Sequence, residues 1–279
     1  MANWLLGVIL GLVQGISEWL PISSKTQIII VSTYLFGLDF KQAYSLGLFL
    51  EAGTFLAALF YFRREVLDVL KALVGRGSQE GRILLKFLLV VTTITGLVGV
   101  GLFLLVSETA TTPAIGVPMV ILGVVLLADA ALIRYAKNRK APSRGIMDLT
   151  LKDDVLIGIA QGLSALPGVS RSGVTVSAML LLGLKPEDSF KLSFLALIPA
   201  SVGAAGVSVL FSDVGLSSVV SAVTVPVIAV AILVAMLVSM VFIRVLLRVA
   251  ASSRITVLVA ALGILAILSG ITSILSGFG

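Results

Sequence analysis

Four ionisable residues, Glu18, Lys25, Glu51 and Arg171, stand within or directly beside apolar sequence. At membrane depth each costs about 2.5 kcal/mol or more, which makes such residues candidates for a functional site; the plainer alternative is that they pair with one another and only hold the chain together. Gln14 and Glu18, four residues apart, share one helical face and offer a carboxylate and an amide oxygen to a hard cation such as Mg2+ or Ca2+. An interhelical hydrogen bond is the other use open to Gln14. The run Pro167-Gly168-Val169-Ser170-Arg171-Ser172-Gly173-Val174-Thr175 is more specific. Its glycines permit close backbone approach, Ser170 and Ser172 can cap the helix that follows, and Arg171 adds a permanently charged fork. Together with the amides of a helix N-terminus these form a receptor for an anion with several oxygens, most naturally phosphate. Thr175, four residues beyond Arg171, adds a hydroxyl on the same side. Ser23, Ser24 and Lys25 after Pro21 are a weaker version of the same device, and two such tips facing one cavity suit a diphosphate. The spacing matches neither a nucleotide P-loop nor a dinucleotide fingerprint. The chain has no cysteine and no histidine, so catalysis rests on carboxylates, hydroxyls, amides, Lys and Arg.

The elements that must position these groups are membrane elements. Of the 279 residues 58% are hydrophobic and only 12% charged, with a mean hydropathy of +1.17. A helix crosses the hydrocarbon layer with about 20 apolar residues, and stretches at 44–62, 84–106, 113–135, 190–211, 219–243 and 254–276 meet that length. The first apolar stretch lacks a basic leader region and a small-residue cleavage site, and is not read as a removable signal peptide. The net charge of +6 sits in a few loops, chiefly 63–83 and 134–154, rather than in one stripe, which argues against a nucleic-acid partner. By the positive-inside rule those loops are cytoplasmic and the N-terminus is outside.

Two shorter apolar segments do not fit the spanning rule. Residues 4–20 and 28–38 flank Pro21 and a polar run from Ser23 to Gln27; residues 155–166 and 174–184 flank Pro167 and its polar run. Each pair reads as a re-entrant helical hairpin, with Ser as the N-cap after the break, because irregular backbone survives at that depth only inside protein or beside a wet cavity. Gln14-Gly15 recurs as Gln161-Gly162, 147 residues later, and three spans follow each copy. An odd number inverts the second copy. The expectation is an all-α polytopic membrane domain of six transmembrane helices plus two re-entrant hairpins. Its inverted repeats cover 1–140 (hairpin 4–38) and 141–279 (hairpin 155–184).

The first tip, from Gln14 through Glu18-Trp19-Leu20-Pro21-Ile22-Ser23-Ser24, resembles the (Glu or Gln)-x-x-x-Glu motif of the undecaprenyl pyrophosphate phosphatase family, the bacitracin-resistance type. The second tip is similar to that family's Pro-Gly-x-Ser-Arg-Ser-x-x-Thr motif at each defined position, and the likeness continues through Ser193-Phe194 and Ile198-Pro199-Ala200-Ser201. The resemblance implies hydrolysis of a long polyprenyl diphosphate to the monophosphate, with a divalent cation. It places Gln14 and Glu18 on the acidic pair, Ser24 on an active-site serine, and Ser170, Arg171 and Thr175 on phosphate contacts. Two positions depart from the pattern. Gln27 stands where the family has histidine, and Glu51 where it has glutamine, marking a divergent, archaeal-type branch whose carrier need not be undecaprenyl.

The expected roles follow. Glu18, Ser24 and Arg171 are catalytic, with either Ser24 or a water on Glu18 as nucleophile. Ser170, Arg171, Ser172, Thr175, Ser23, Lys25 and Gln27 contact phosphate, and Glu18, Gln14 and Glu51 hold Mg2+ or Ca2+. The partners are the polyprenyl diphosphate and membrane lipid, with no nucleic acid; a homodimer is compatible with all of this. The site faces outward at the cell membrane. The rival reading is a transporter or flippase of a phosphorylated lipid that uses the same tips without cleavage.

Overall fold

The computed structural model describes residues 4–38, 40–109, 116–139, 144–166, 168–211 and 223–275, and these are helical with no strand among them. In chain order the helices are α1 (Trp4–Ser17), α2 (Ser24–Phe36), α3 (Phe40–Tyr61), α4 (Arg63–Leu73), α5 (Gln79–Thr109), α6 (Gly116–Arg139), α7 (Leu151–Gly162), α8 (Arg171–Leu181), α9 (Pro186–Phe211), α10 (Val225–Ala250) and α11 (Ile255–Ser273). Among the described residues, five stretches are long and apolar enough to cross a membrane: Gln42–Tyr61, Gln79–Leu102, Gly116–Tyr135, Val225–Ala250 and Ile255–Ser273. They correspond to five of the six expected spans; parts of 113–135, 219–243 and 254–276 fall outside the described residues. The sixth, 190–211, lies on α9, which is not among the five. That helix opens on Glu187, Asp188 and Lys191 and buries Ser189, Ser193 and Ser201 among Phe190, Leu192, Phe194, Leu195, Ala196 and Leu197; the side chains of its last turns, 205–211, lie outside the described residues.

Both breaks are shorter than their sequences suggest. The polar run Ser24 to Gln27 is the first turn of α2, because the reversal is made over residues 18–22 and ends at Ser23, at φ 52°. Ser23 places no side-chain cap on α2. Ser170 does cap α8, accepting the Gly173 N–H at 3.3 Å. The basic segment after α3 is not a loop but the amphipathic helix α4, which buries Val69 and Ala72.

α7 starts at Leu151 rather than near 155 because Thr150 and Asp153 form a capping box. The Thr150 N–H donates to Asp153 at 2.8 Å and the Asp153 N–H to Thr150 Oγ1 at 3.3 Å. Arg144 also donates to Asp153, and its guanidinium holds that carboxyl well below the usual carboxylate range. A depressed carboxyl stabilises the fold above its unfolded value of about 3.9 and loses that contribution only as pH falls through the lower folded value. Asp153→Asn is therefore expected to cost about 1 kcal/mol, with the same deficit in detergent melts at pH 8 and at about pH 5. A deficit that vanishes at pH 5 would contradict the assignment.

Long contacts between helices run along glycines. A Cβ at Gly7, Gly11 or Gly15 of α1 would lie 2.7, 2.6 or 2.8 Å from a carbonyl oxygen of α10 (Val227, Ala231 and Ala235), so the two backbones touch. α7 meets α5 in the same way, Gly158 against Ile94 and Gly162 against Val98. α6 and α11 cross through Gly116 on Gly270 and Gly123 on Gly263. Gly11→Ala is expected to destabilise by about 1–3 kcal/mol through overpacking. Gly101→Ala, where a Cβ meets open space, should leave the melting temperature unchanged or higher. Equal melting temperatures for the two would show that the glycine seam is not close-packed.

Candidate active site

α1 continues for one more turn, the Glu18 N–H donating to Gln14 O at 3.1 Å, and this delivers the Glu18 carboxylate to the break. Three donors reach it. Gln14 Nε2 and Ser24 Oγ donate to one carboxylate oxygen at 2.8 and 2.6 Å, and Arg171 is ion-paired with the other. Glu18, Gln14 and Ser24 are buried, and Arg171 Nη1 also donates to Ser201 Oγ at 3.3 Å. A second pair, Lys25 with Glu51 of α3 at 2.8 Å, lies in the same cluster. Two carboxylates and two cations thus balance, as burial of charge requires.

The second tip is fastened to the backbone of the first. Ser170 Oγ donates to Leu20 O at 3.2 Å, and Ser172 Oγ lies 3.3 Å from both Glu18 O and Leu20 O. These bonds fix where α8 begins and so where the Arg171 guanidinium lies. Thr175 is fully buried; its hydroxyl donates to Arg171 O at 2.8 Å and lies 2.5 Å from Ser193 Oγ. Pro167, the first residue of that motif, lies outside the described residues.

Cavities open on this cluster. A small polar one of about 20 Å3 is lined by Glu18, Ser23, Ser24, Lys25, Ser170 and Arg171. A larger, mostly apolar one of about 200 Å3 has Lys25, Thr92, Thr95, Gln161, Ser164 and Arg171 as its polar members. The structure thus brings Glu18, Ser23, Ser24, Lys25, Ser170 and Arg171 to one cavity wall. Ser172 and Thr175 lie behind that wall, bonded to backbone. Gln27 points to α11, its amide donating to Ile22 O at 3.1 Å and Ser269 Oγ at 2.8 Å.

Among the described residues no three acidic side chains converge as a metal cluster. The Gln14 Oε1 beside Glu18 is nonetheless buried without a hydrogen-bond partner, an oxygen suited to a hard cation. Ser201 and Gln161 were given no role by spacing. Ser201 lies thirty residues beyond Arg171 and meets it only through the packing of α8 on α9.

The sequence profile of the family described as "Bacitracin resistance protein BacA" matches residues 7–268. A Saccharolobus solfataricus protein named undecaprenyl-diphosphatase is 55% identical over 276 residues, covering 98% of each chain. One of the same name from Saccharolobus islandicus is 58% identical over 221 residues, covering 79% of this chain and 78% of its own, and one from Pyrobaculum islandicum is 42% identical over 274, covering 98% of each. The resemblance read from the two tips, including its archaeal leaning, therefore holds along almost the whole chain. With its five long apolar helices, the chain is a multi-pass membrane protein belonging to the bacitracin resistance protein BacA family.

Proposed function

We propose that this protein hydrolyses the phosphoric anhydride of a long-chain, undecaprenyl-type polyprenyl diphosphate. The products are the lipid monophosphate and inorganic phosphate, which returns the carrier to cell-envelope glycan synthesis. The name shared by the relatives supports this activity. The observation that carries it is the 2.6 Å hydrogen bond from Ser24 Oγ to Glu18, in a buried cluster that Arg171 closes from the other tip. A hydroxyl on a carboxylate beside a guanidinium unites nucleophile, proton acceptor and anion clamp, without an imidazole.

Ser24 Oγ attacks the terminal phosphorus, Glu18 accepts its proton, and the bond to the bridging oxygen breaks to release the lipid monophosphate. Water then cleaves the phosphoserine, giving inorganic phosphate and restoring the Ser24 hydroxyl. Arg171, Ser170, Ser23 and Lys25 hold phosphate oxygens, while Ser172 and Thr175 position Arg171 through α8. Mg2+ or Ca2+ is the proposed cofactor. Glu18 and Gln14 Oε1 fit it, Glu51 being the second carboxylate nearby, and when bound it offsets phosphate charge.

The membrane arrangement belongs to the same reading: α9 is a sixth span, and 4–38 and 155–184 are re-entrant hairpins entering from opposite sides. The N-terminus is outside, and the site opens outward. Inverted repeats over 1–140 and 141–279 are supported by exchanged packing, since α1 lies on α10 as α7 lies on α5. Gly116 and Gly123 stand 147 residues before Gly263 and Gly270, the offset that links Gln14 to Gln161, and each pairs with the other's counterpart.

Purified protein in detergent, given farnesyl or undecaprenyl diphosphate with Mg2+, Ca2+ or a chelator, is expected to release inorganic phosphate. A folded sample that releases none under any of these conditions would overturn the enzyme reading in favour of a carrier.

A further inference from the structure

Gln161 is fully buried near the end of α7, and among the described residues neither its Oε1 nor its Nε2 has a hydrogen-bond partner. Buried amides are ordinarily satisfied, so an amide with both ends free is unusual inside a packed helix bundle. It lines the larger cavity, whose other polar groups include Arg171, Lys25 and Ser164. Those same three side chains line the small cavity beside Glu18 and Ser24, so the two spaces meet at them. The repeat offset accounts for the bare amide. Its counterpart Gln14 gives its N–H to Glu18, whereas the position corresponding to Glu18 is Ala165, also on the cavity wall.

Resting on the activity proposed above, we propose that Gln161 is a substrate-binding residue that donates to the phosphate remaining on the lipid. The terminal phosphoryl group occupies the small cavity beside Ser24 and Glu18. The inner phosphate lies past Arg171 and Lys25, where Gln161 Nε2 reaches a non-bridging oxygen. The first prenyl carbons follow the apolar wall, where Gly96 and Gly203 border open space. A neutral amide suits this place because it donates a hydrogen bond without a third positive charge that would retain the monophosphate product.

The test uses the full chain in detergent with farnesyl diphosphate as substrate, and farnesyl monophosphate and inorganic phosphate as competing inhibitors. Gln161→Leu is expected to raise KM and the inhibition constant of farnesyl monophosphate about tenfold or more, the loss of one hydrogen bond to a charged group. Inhibition by inorganic phosphate should stay within about twofold, because that anion also binds at the small cavity. Gln161→Glu should weaken the monophosphate further by like-charge repulsion. Should Gln161→Leu melt well below the wild type, Gln161→Asn gives the same reading with a shortened amide. Unchanged inhibition by farnesyl monophosphate, or an equal rise for inorganic phosphate, overturns the proposal. Wild type that cleaves no diphosphate refutes the activity itself; active wild type whose monophosphate inhibition ignores residue 161 refutes only this inference.

Discussion

Glu18→Gln is expected to cut phosphate release from a polyprenyl diphosphate by roughly 100- to 1,000-fold, and Arg171→Lys by a similar factor. Glu18 takes hydrogen bonds from Gln14 and Ser24 and an ion pair from Arg171. A glutamine there keeps the shape but cannot take the serine proton, and its NH2 must point at one of three groups that are themselves donors. It also removes the guanidinium's paired carboxylate, leaving Glu51 as the remaining carboxylate of the cluster, at a cost to folding of about 1–3 kcal/mol. A melt of each variant is therefore recorded beside its rate. Arg171→Lys separates the two effects, because it keeps the charge and removes the fork that reaches Glu18 and Ser201 together. Near-normal turnover in either folded variant would remove the pair from the centre of the mechanism.

Ser24→Ala should reduce turnover to the background of the assay while leaving the fold intact. Its hydroxyl donates to Glu18, and its loss leaves the carboxylate with Gln14 and Arg171 still bound, at a cost to stability of about 1 kcal/mol. If the alanine variant keeps more than about a tenth of wild-type phosphate release, a positioned water rather than Ser24 is the nucleophile. Glu18→Gln would remain damaging under that water route, so the two variants together distinguish a lost nucleophile from a lost base.

Groups close in sequence announced themselves. Gln14 and Glu18 share a face because a helix repeats every 3.6 residues, and the Pro and Gly punctuation marked both breaks. What could not be read was set by packing. Lys25 meets Glu51 only because α2 folds back on α3, and no spacing rule joins residues that far apart. The Ser24 to Gln27 run looked like part of the break because polar residues were equated with irregular chain. The turn is completed by Ser23, at positive φ, which leaves them free for helix. Two errors were avoidable. Thr150 and Asp153 carry a capping-box spacing that places the start of α7, and Val66, Val69 and Leu73 at helical intervals mark α4, hidden while its arginines were read only as topology signals.

The glycine face of α1 bears on how the chain is made. Gly7, Gly11 and Gly15 find their partners on α10, beginning at Val225, more than two hundred residues downstream. At a ribosomal rate of about 5–20 residues per second, that face waits roughly 10 to 40 s for α10 to emerge. During synthesis the first half is inserted but unmatched, its backbone groove open to lipid or to other nascent helices. Truncation anywhere before α10 leaves the acidic tip without the helix that backs it.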